Sequence, residues 1–272
     1  ITNYFKDLTK FNILTLGTLI FLILAGIFSG QNSIPPIDRD EARFAQASKQ
    51  MLESGNFVDI RFQEEPRYKK PAGSYWFQAV SVNLLSPSKL EEIWSYRIPS
   101  LLAAIIAVIG TYFLANVFLR PPGGIIAAII LSSTPLLIGE AHMAKSDALL
   151  LASVVIAQFG LIRTYRNHVS WLNWLCLWGG IGLGVMIKGP VTPLVILLTV
   201  LVVSIINREI KWVLKLRPLS GFSLVACICL PWIISIQIQS SGEFLQSSLG
   251  QDLLPKLLSG VESVSYTHLR AH

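Results

Sequence analysis

The sequence predicts an all-α integral membrane protein, a multi-pass helical bundle with amphipathic helices in its first extracytoplasmic loop. Three observations predict it. Of 272 residues, 52% are hydrophobic and only 14% charged, with a mean hydropathy of +0.57. That is more apolar surface than one soluble core of this size would bury. The apolar residues fall in repeated runs of roughly 15 to 23, the length of a bilayer crossing. Charge is confined to the segments between the runs, and one dense insert, Asp38-Arg39-Asp40-Glu41-Ala42-Arg43, follows closely on the first run.

Crossings are expected over residues 11–29, 96–119, 123–139, 148–162, 170–187, 189–206 and 219–238. The third and fourth are short, so tilt or a boundary shift of a few residues is expected there. Lys and Arg in short loops are retained on the cytoplasmic side. One alternating set of loops carries Lys6, Lys10, Arg120, Arg163, Arg166, Arg208, Lys211, Lys215 and Arg217. Once the long first loop is set aside, the other carries only Lys145, Lys188 and Lys256. The first set is therefore cytoplasmic. Residues 30–95, the loop at 142–147, the turn at Lys188 and the segment from Glu243 onward face outward. Residues 1–238 form the membrane region on this reading, and 239–263 begin a further outer loop.

The net charge of +6 does not imply nucleic acid as a partner, because the basic residues occur in short clusters rather than along one polar face. Membrane lipids are the expected surroundings. Cys176, Cys227 and Cys229 lie within apolar runs, against a disulfide framework or a metal site of paired spacing. The first run lacks a small-residue cleavage site and is expected to stay as a signal anchor.

The loop over residues 30–95 is too long for a plain connector. Ala42, Phe44, Ala45, Ala47, Met51 and Leu52 recur near the helical period, predicting an amphipathic helix on the membrane surface. Ser54-Gly55-Asn56 stops it. Arg67-Tyr68-Lys69-Lys70-Pro71 then precedes the aromatic stretch Gly73-Ser74-Tyr75-Trp76-Phe77, which suits the interface. A second surface helix is expected from there to Leu85. Acids beside a membrane boundary carry a cost that function usually offsets, yet they also favour the first turn of any helix. The basic cluster has an equally plain reading as anionic-lipid contact.

Several segments stand in a characteristic order: Asp40-Glu41-Ala42-Arg43-Phe44, Met51-Leu52-Glu53-Ser54-Gly55, Lys70-Pro71 and Tyr75-Trp76. They continue through Tyr96-Arg97-Ile98-Pro99-Ser100, Ala144-Lys145-Ser146-Asp147-Ala148, Lys188-Gly189-Pro190 and Leu230-Pro231-Trp232. In order and spacing the chain resembles the bacterial glycosyltransferases related to 4-amino-4-deoxy-L-arabinose transferase and to protein O-mannosyltransferases. The resemblance implies a GT-C architecture in the bacterial inner (plasma) membrane with its active site on the periplasmic face. It implies a polyprenyl-phosphate-linked sugar as donor and a lipid (lipid A), glycan or protein as acceptor, with inversion at the sugar. Asp40, paired with Glu41, becomes the catalytic carboxylate, and Lys70 the contact to the donor phosphate. Family members usually continue past residue 263 into more spans, so the chain is expected to be a fragment without the parts that help bind carrier and acceptor. Residues 264–272 resemble a translated sequencing adaptor and are set aside.

Displacing a polyprenyl phosphate builds positive character on the sugar and negative charge on the departing phosphate. A carboxylate such as Asp40 can take a proton from an acceptor hydroxyl, and an ammonium such as Lys70 can stabilise the leaving group. Arg43, one helical turn from Asp40, pairs with it or touches substrate. Asp147 enters the pocket or caps a helix. Lys188 is a second phosphate contact or snorkels to the headgroups. No Gly-rich dinucleotide fingerprint is present. No cofactor is required; a divalent metal is compatible with the family, although no pair of histidines has ligand spacing. Two competing readings are a transporter or flippase of a lipid-linked sugar, and a membrane scaffold without enzymatic activity. The breaks at Gly189-Pro190 and Pro231 fit transport, but no convincing internal repeat does.

Overall fold

The computed structural model describes residues 26, 30–36, 38–120 and 122–245. The expected first crossing, apart from residue 26, and everything from residue 246 on lie outside them. Nine helices of seven residues or more are described: α1 Arg39–Ser54, α2 Gly73–Leu85, α3 Ile93–Phe118, α4 Gly123–Ser132, α5 Pro135–Ala141, α6 Asp147–Tyr165, α7 Trp171–Lys188, α8 Val191–Asn207 and α9 Pro218–Gln239. A 3-10 helix, Lys211–Leu216, precedes α9. The only strands among the described residues, β1 Arg61–Phe62 and β2 Glu65–Pro66, pair antiparallel in the first loop.

Among the described residues three helices, α3, α6 and α9, are long and apolar enough to cross a membrane. The expected third crossing is instead two helices, α4 and α5, bent by 62°. Pro135 opens α5 behind an extended Thr134. A proline there lacks the N–H that would continue the ladder, and its ring disfavours a helical residue before it. The expected fifth and sixth crossings correspond to α7, which is less apolar than the other three, and α8, which is apolar but shorter. Asn173 and the glycines dilute α7, and α8 has only 17 residues.

Large apolar side chains point outward from the bundle, including Leu102, Ile106 and Phe113 on α3 and Leu219, Phe222 and Ile238 on α9. In water such a surface would aggregate; in a bilayer it meets its own solvent. The inner faces of α6 and α7 carry small residues instead. A Cβ on Gly160 would strike the carbonyl oxygen of Asn173 and lie 2.5 Å from the Leu177 nitrogen. Close backbone approach of this kind is how membrane helices gain packing without a hydrophobic driving force. Gly160→Ala is therefore expected to force α6 and α7 apart at a cost of about 1–3 kcal/mol, read as a lower unfolding temperature in detergent. An unchanged temperature would show that the two helices are not held by this contact.

The first loop is docked on this bundle. α1 begins where Asp38 accepts a hydrogen bond from Asp40 N at 2.6 Å, and it ends at Gly55 in the left-handed region, φ 68°. Its buried face differs from the membrane-facing stripe the sequence suggests. Phe44, Ala47 and Met51 pack against Tyr75, Ala79, Met186, Trp232 and Ile236, that is, onto α2, α7 and α9. Ala42 is exposed. α2 matches the expected second surface helix in extent and turns Phe77, Val80 and Leu84 outward. Its first residue, Gly73, lies so close to α7 that a Cβ would sit 2.5 Å from the Met186 carbonyl oxygen.

Candidate active site

The helix hairpin α6–α7 sets the site. Two antiparallel helices of nearly equal length place the start of the first beside the end of the second, so Asp147 and Lys188, forty-one positions apart, form an ion pair. The short Lys188-Gly189-Pro190 turn is possible because Gly189 has φ 66° and ψ −131°, a region essentially closed to other residues.

Lys70 lies against this pair. Its ammonium is 4.7 Å from the centre of the Phe44 ring and 3.4 Å from Ser146 Oγ. Burial pulls its pKa below the ordinary lysine range, and the charge of Lys188 pulls the same way, while Asp147 and Asp40 oppose them. Arg67 stands over the same Phe44 ring at 5.5 Å and donates to Tyr75 Oη at 3.0 Å. Phe44 in turn stacks on Tyr75 with centroids 5.0 Å apart. Among the described residues neither Lys70 nor Arg67 has a carboxylate within ion-pair distance. Two uncompensated cations on an aromatic floor form a slot for an anion.

Asp40 sits one turn before Phe44, so the two share a helix face. Its carboxylate is half exposed and 3.5 Å from Arg43. Arg43 thus has the pairing role as its nearest contact. Asp40, Arg43, Lys70, Asp147 and Lys188 accordingly gather at one end of the bundle.

Glu41 does not join them, contrary to the expectation that it works beside Asp40. It is fully buried, with Arg97 donating to both carboxylate oxygens at 2.7 and 3.1 Å and Ala144 N donating at 2.9 Å. Consecutive helix positions point about 100° apart, and the second acid of the pair is turned into the protein. A carboxylate so occupied has no capacity to take a substrate proton.

The sequence gives no sign of Arg97 beyond its place in a family segment. It is wholly buried, and besides Glu41 it binds the carbonyls of Gln31 and Ile34, each at 2.7 Å. Gln78 completes the frame by donating to the Ala144 carbonyl at 3.0 Å and accepting from Ser48 at 2.7 Å. The Ala144 peptide is thereby clamped on both sides, which fixes the loop that carries Ser146 and Asp147. Asp38 adds a tie through Lys145 at 2.6 Å; that hydrogen bond holds its carboxyl below the usual carboxylate range. Asp38 with Glu41 three residues later, at the start of an apolar-periodic segment, is a signal that identifies Asp38 as the cap.

Glu140, at the end of α5, has one buried carboxylate oxygen without a partner and lies in the field of Asp147, Lys145 and Lys188. His142 donates from Nδ1 to the Ile138 carbonyl at 2.8 Å. Among the described residues no three His, Cys, Asp or Glu side chains are grouped to hold a metal ion.

Residues 69–234 match the family described as dolichyl-phosphate-mannose-protein mannosyltransferase. The chain belongs to that family. The matched segment includes Lys70, Asp147 and Lys188, while α1 with Asp40 precedes it. Similar proteins include the undecaprenyl phosphate-alpha-4-amino-4-deoxy-L-arabinose arabinosyl transferase of Pseudomonas aeruginosa (strain UCBPP-PA14), 26% identical over 74% of this chain and 37% of its own length. The protein described as undecaprenyl phosphate-alpha-4-amino-4-deoxy-L-arabinose arabinosyl transferase 1 of Pseudomonas fluorescens (strain Pf0-1) is 29% identical over 72% of this chain and 34% of its own length. Two crystal structures of ArnT from Cupriavidus metallidurans share the fold. The apo form has a TM-score of 0.77 at 18% identity, and the form bound to undecaprenyl phosphate 0.72 at 19%. They cover 90% and 91% of this chain, and 45% of their own. The chain therefore spans less than half the length of these relatives, and its architecture is the multi-pass, GT-C membrane bundle of the family.

Proposed function

We propose that the protein containing this chain is a glycosyltransferase of the bacterial inner membrane. It moves a sugar from a polyprenyl-phosphate carrier to an acceptor on the periplasmic side. The observation that carries this reading is the pair of uncompensated cations, Lys70 and Arg67, over Phe44 and one helical turn from Asp40. The relatives named for undecaprenyl-phosphate-linked aminoarabinose support a pentose donor; lipid A is the acceptor proposed with it, and a hexose donor with a glycan or protein acceptor is the wider class.

In the proposed reaction the acceptor oxygen attacks the anomeric carbon from the face opposite the phosphate. The new C–O bond forms as the sugar–phosphate bond breaks, which inverts the centre. The bonding pair leaves with the phosphate, where Lys70, Arg67 and Lys188 offset its charge. The acceptor hydroxyl proton passes to Asp40. A phosphate acceptor brings no such proton, and Asp40 then stabilises the positive sugar centre.

Lys70 must be protonated to do this. Because its pKa is lowered, kcat/KM is expected to fall as pH rises, beginning below the ordinary lysine range. Lys70→Arg should carry that limb to higher pH, since guanidinium keeps its proton, and Lys70→Ala should cost about 10²–10³-fold. An alkaline limb that does not move in Lys70→Arg would remove Lys70 from the phosphate slot.

The reading itself is tested by comparing polyprenyl-linked sugars and envelope glycans, by mass spectrometry, with and without the intact gene. Accumulated donor and missing modified acceptor are expected. A transporter would instead leave donor on the wrong leaflet with no bond cleaved by the purified protein, and a scaffold would leave both pools unchanged.

A further inference from the structure

The other end of the bundle holds a cavity that the transfer reaction does not use. It measures about 260 Å³ and its lining includes Ser170, Trp171, Trp174, Lys215, Leu216 and Arg217. Helix α6 runs from Asp147 at the candidate active site to Thr164, another lining residue. Eighteen helical residues rise roughly 27 Å, close to the thickness of a bilayer's hydrocarbon core. The cavity thus opens at the opposite headgroup layer.

Its chemistry suits an anion. Lys215 bonds the neutral side-chain oxygen of Asn167 at 2.7 Å. Arg217 is exposed, and among the described residues neither cation has a carboxylate within ion-pair distance. Trp174 Nε1 is buried without an acceptor, an idle donor that normally costs stability. The lining contains no acid. Beside these polar groups large apolar side chains are also turned outward: Trp171, Leu214 and Leu219 are each more than 70% exposed, at 73%, 74% and 86%. A free anion in solution would gain nothing from them, whereas the acyl chains below a lipid headgroup would.

We infer that this cavity binds the phosphate-bearing headgroup of an anionic phospholipid in the leaflet opposite the transfer site. Lys215 and Arg217 offset the phosphate charge, and the Trp174 ring forms part of the wall beside them. The inference rests on the membrane fold and not on glycosyl transfer, so either can fail alone. A structural lipid here would tie the α6–α7 connection to the start of α9, since residues of both line the same space.

The test is native mass spectrometry of the chain released from nanodiscs of phosphatidylcholine with one-fifth phosphatidylglycerol. One phosphatidylglycerol should be retained. Each cation near a membrane surface contributes about fivefold in affinity, so Lys215→Gln with Arg217→Gln should weaken retention roughly 30-fold and leave phosphatidylcholine adducts unchanged. Trp174→Phe should weaken it by a smaller factor. The charge-conserving pair Lys215→Arg and Arg217→Lys should retain the lipid, separating lost charge from lost folding. Equal retention by the wild-type and Gln variants would overturn the inference, as would displacement of the lipid by millimolar inorganic phosphate.

Discussion

Asp40→Asn in the full-length protein is expected to lower kcat for sugar transfer to a hydroxyl acceptor by about 10²–10⁴-fold, with little change in stability. The split follows from geometry. Asp38, not Asp40, caps α1 through its side chain, and the Asp40 carboxylate is half exposed in a long contact with Arg43. A pair of that kind contributes at most about 1 kcal/mol. Asparagine keeps the shape and the helix but cannot accept a proton. Steady-state rates with a polyprenyl-phosphate donor, together with the detergent unfolding temperature, check both halves. Undiminished transfer at normal expression would remove Asp40 from its catalytic role. A phosphate acceptor should soften the loss, because it brings no proton to remove.

The second large effect concerns folding rather than chemistry. Arg97→Ala is expected to destabilise the protein by about 3–5 kcal/mol, since Glu41 is left as an uncompensated buried charge. It also frees the carbonyls of Gln31 and Ile34. Glu41→Gln should cost less alone, because its amide oxygen can still accept from Ala144 N. Combining Glu41→Gln with Arg97→Ala should cost less than the sum, the non-additivity expected of two residues in one network. Thermal unfolding of the four proteins in one detergent measures the coupling. Strict additivity would show that the pair does not hold α1 to α3. In every soluble preparation, donor binding should fall with stability, since the same network positions the loop carrying Asp147.

Much of the architecture was legible because crossing a bilayer is a local requirement. A run of apolar side chains long enough to span identifies α3, α6 and α9 without knowledge of their neighbours. The α4–α5 break is invisible to apolar length alone, although Thr134-Pro135 carries its signal. α1 was legible as a helix with its stop at Gly55, but not in what its apolar face meets. Periodicity identifies a face and is silent on whether lipid or protein covers it. The convergence of Asp40, Lys70, Asp147 and Lys188 was anticipated only by assigning their loops to one side of the membrane. Their contacts required helix lengths and packing to place the ends.

The amino-acid order alone determined where the chain is apolar enough to leave water and which connections share a side, because both depend on residues counted one at a time. Which acid of the Asp40–Glu41 pair faces the slot was decided by tertiary structure. Arg97, fifty-six positions from Glu41, reaches it only when α3 packs beside α1. Desolvation of Lys70 likewise comes from Phe44 and its neighbouring helices rather than from its own segment. Charge placement in a protein interior is a property of pairs, and pairs distant in sequence exist only in the folded chain.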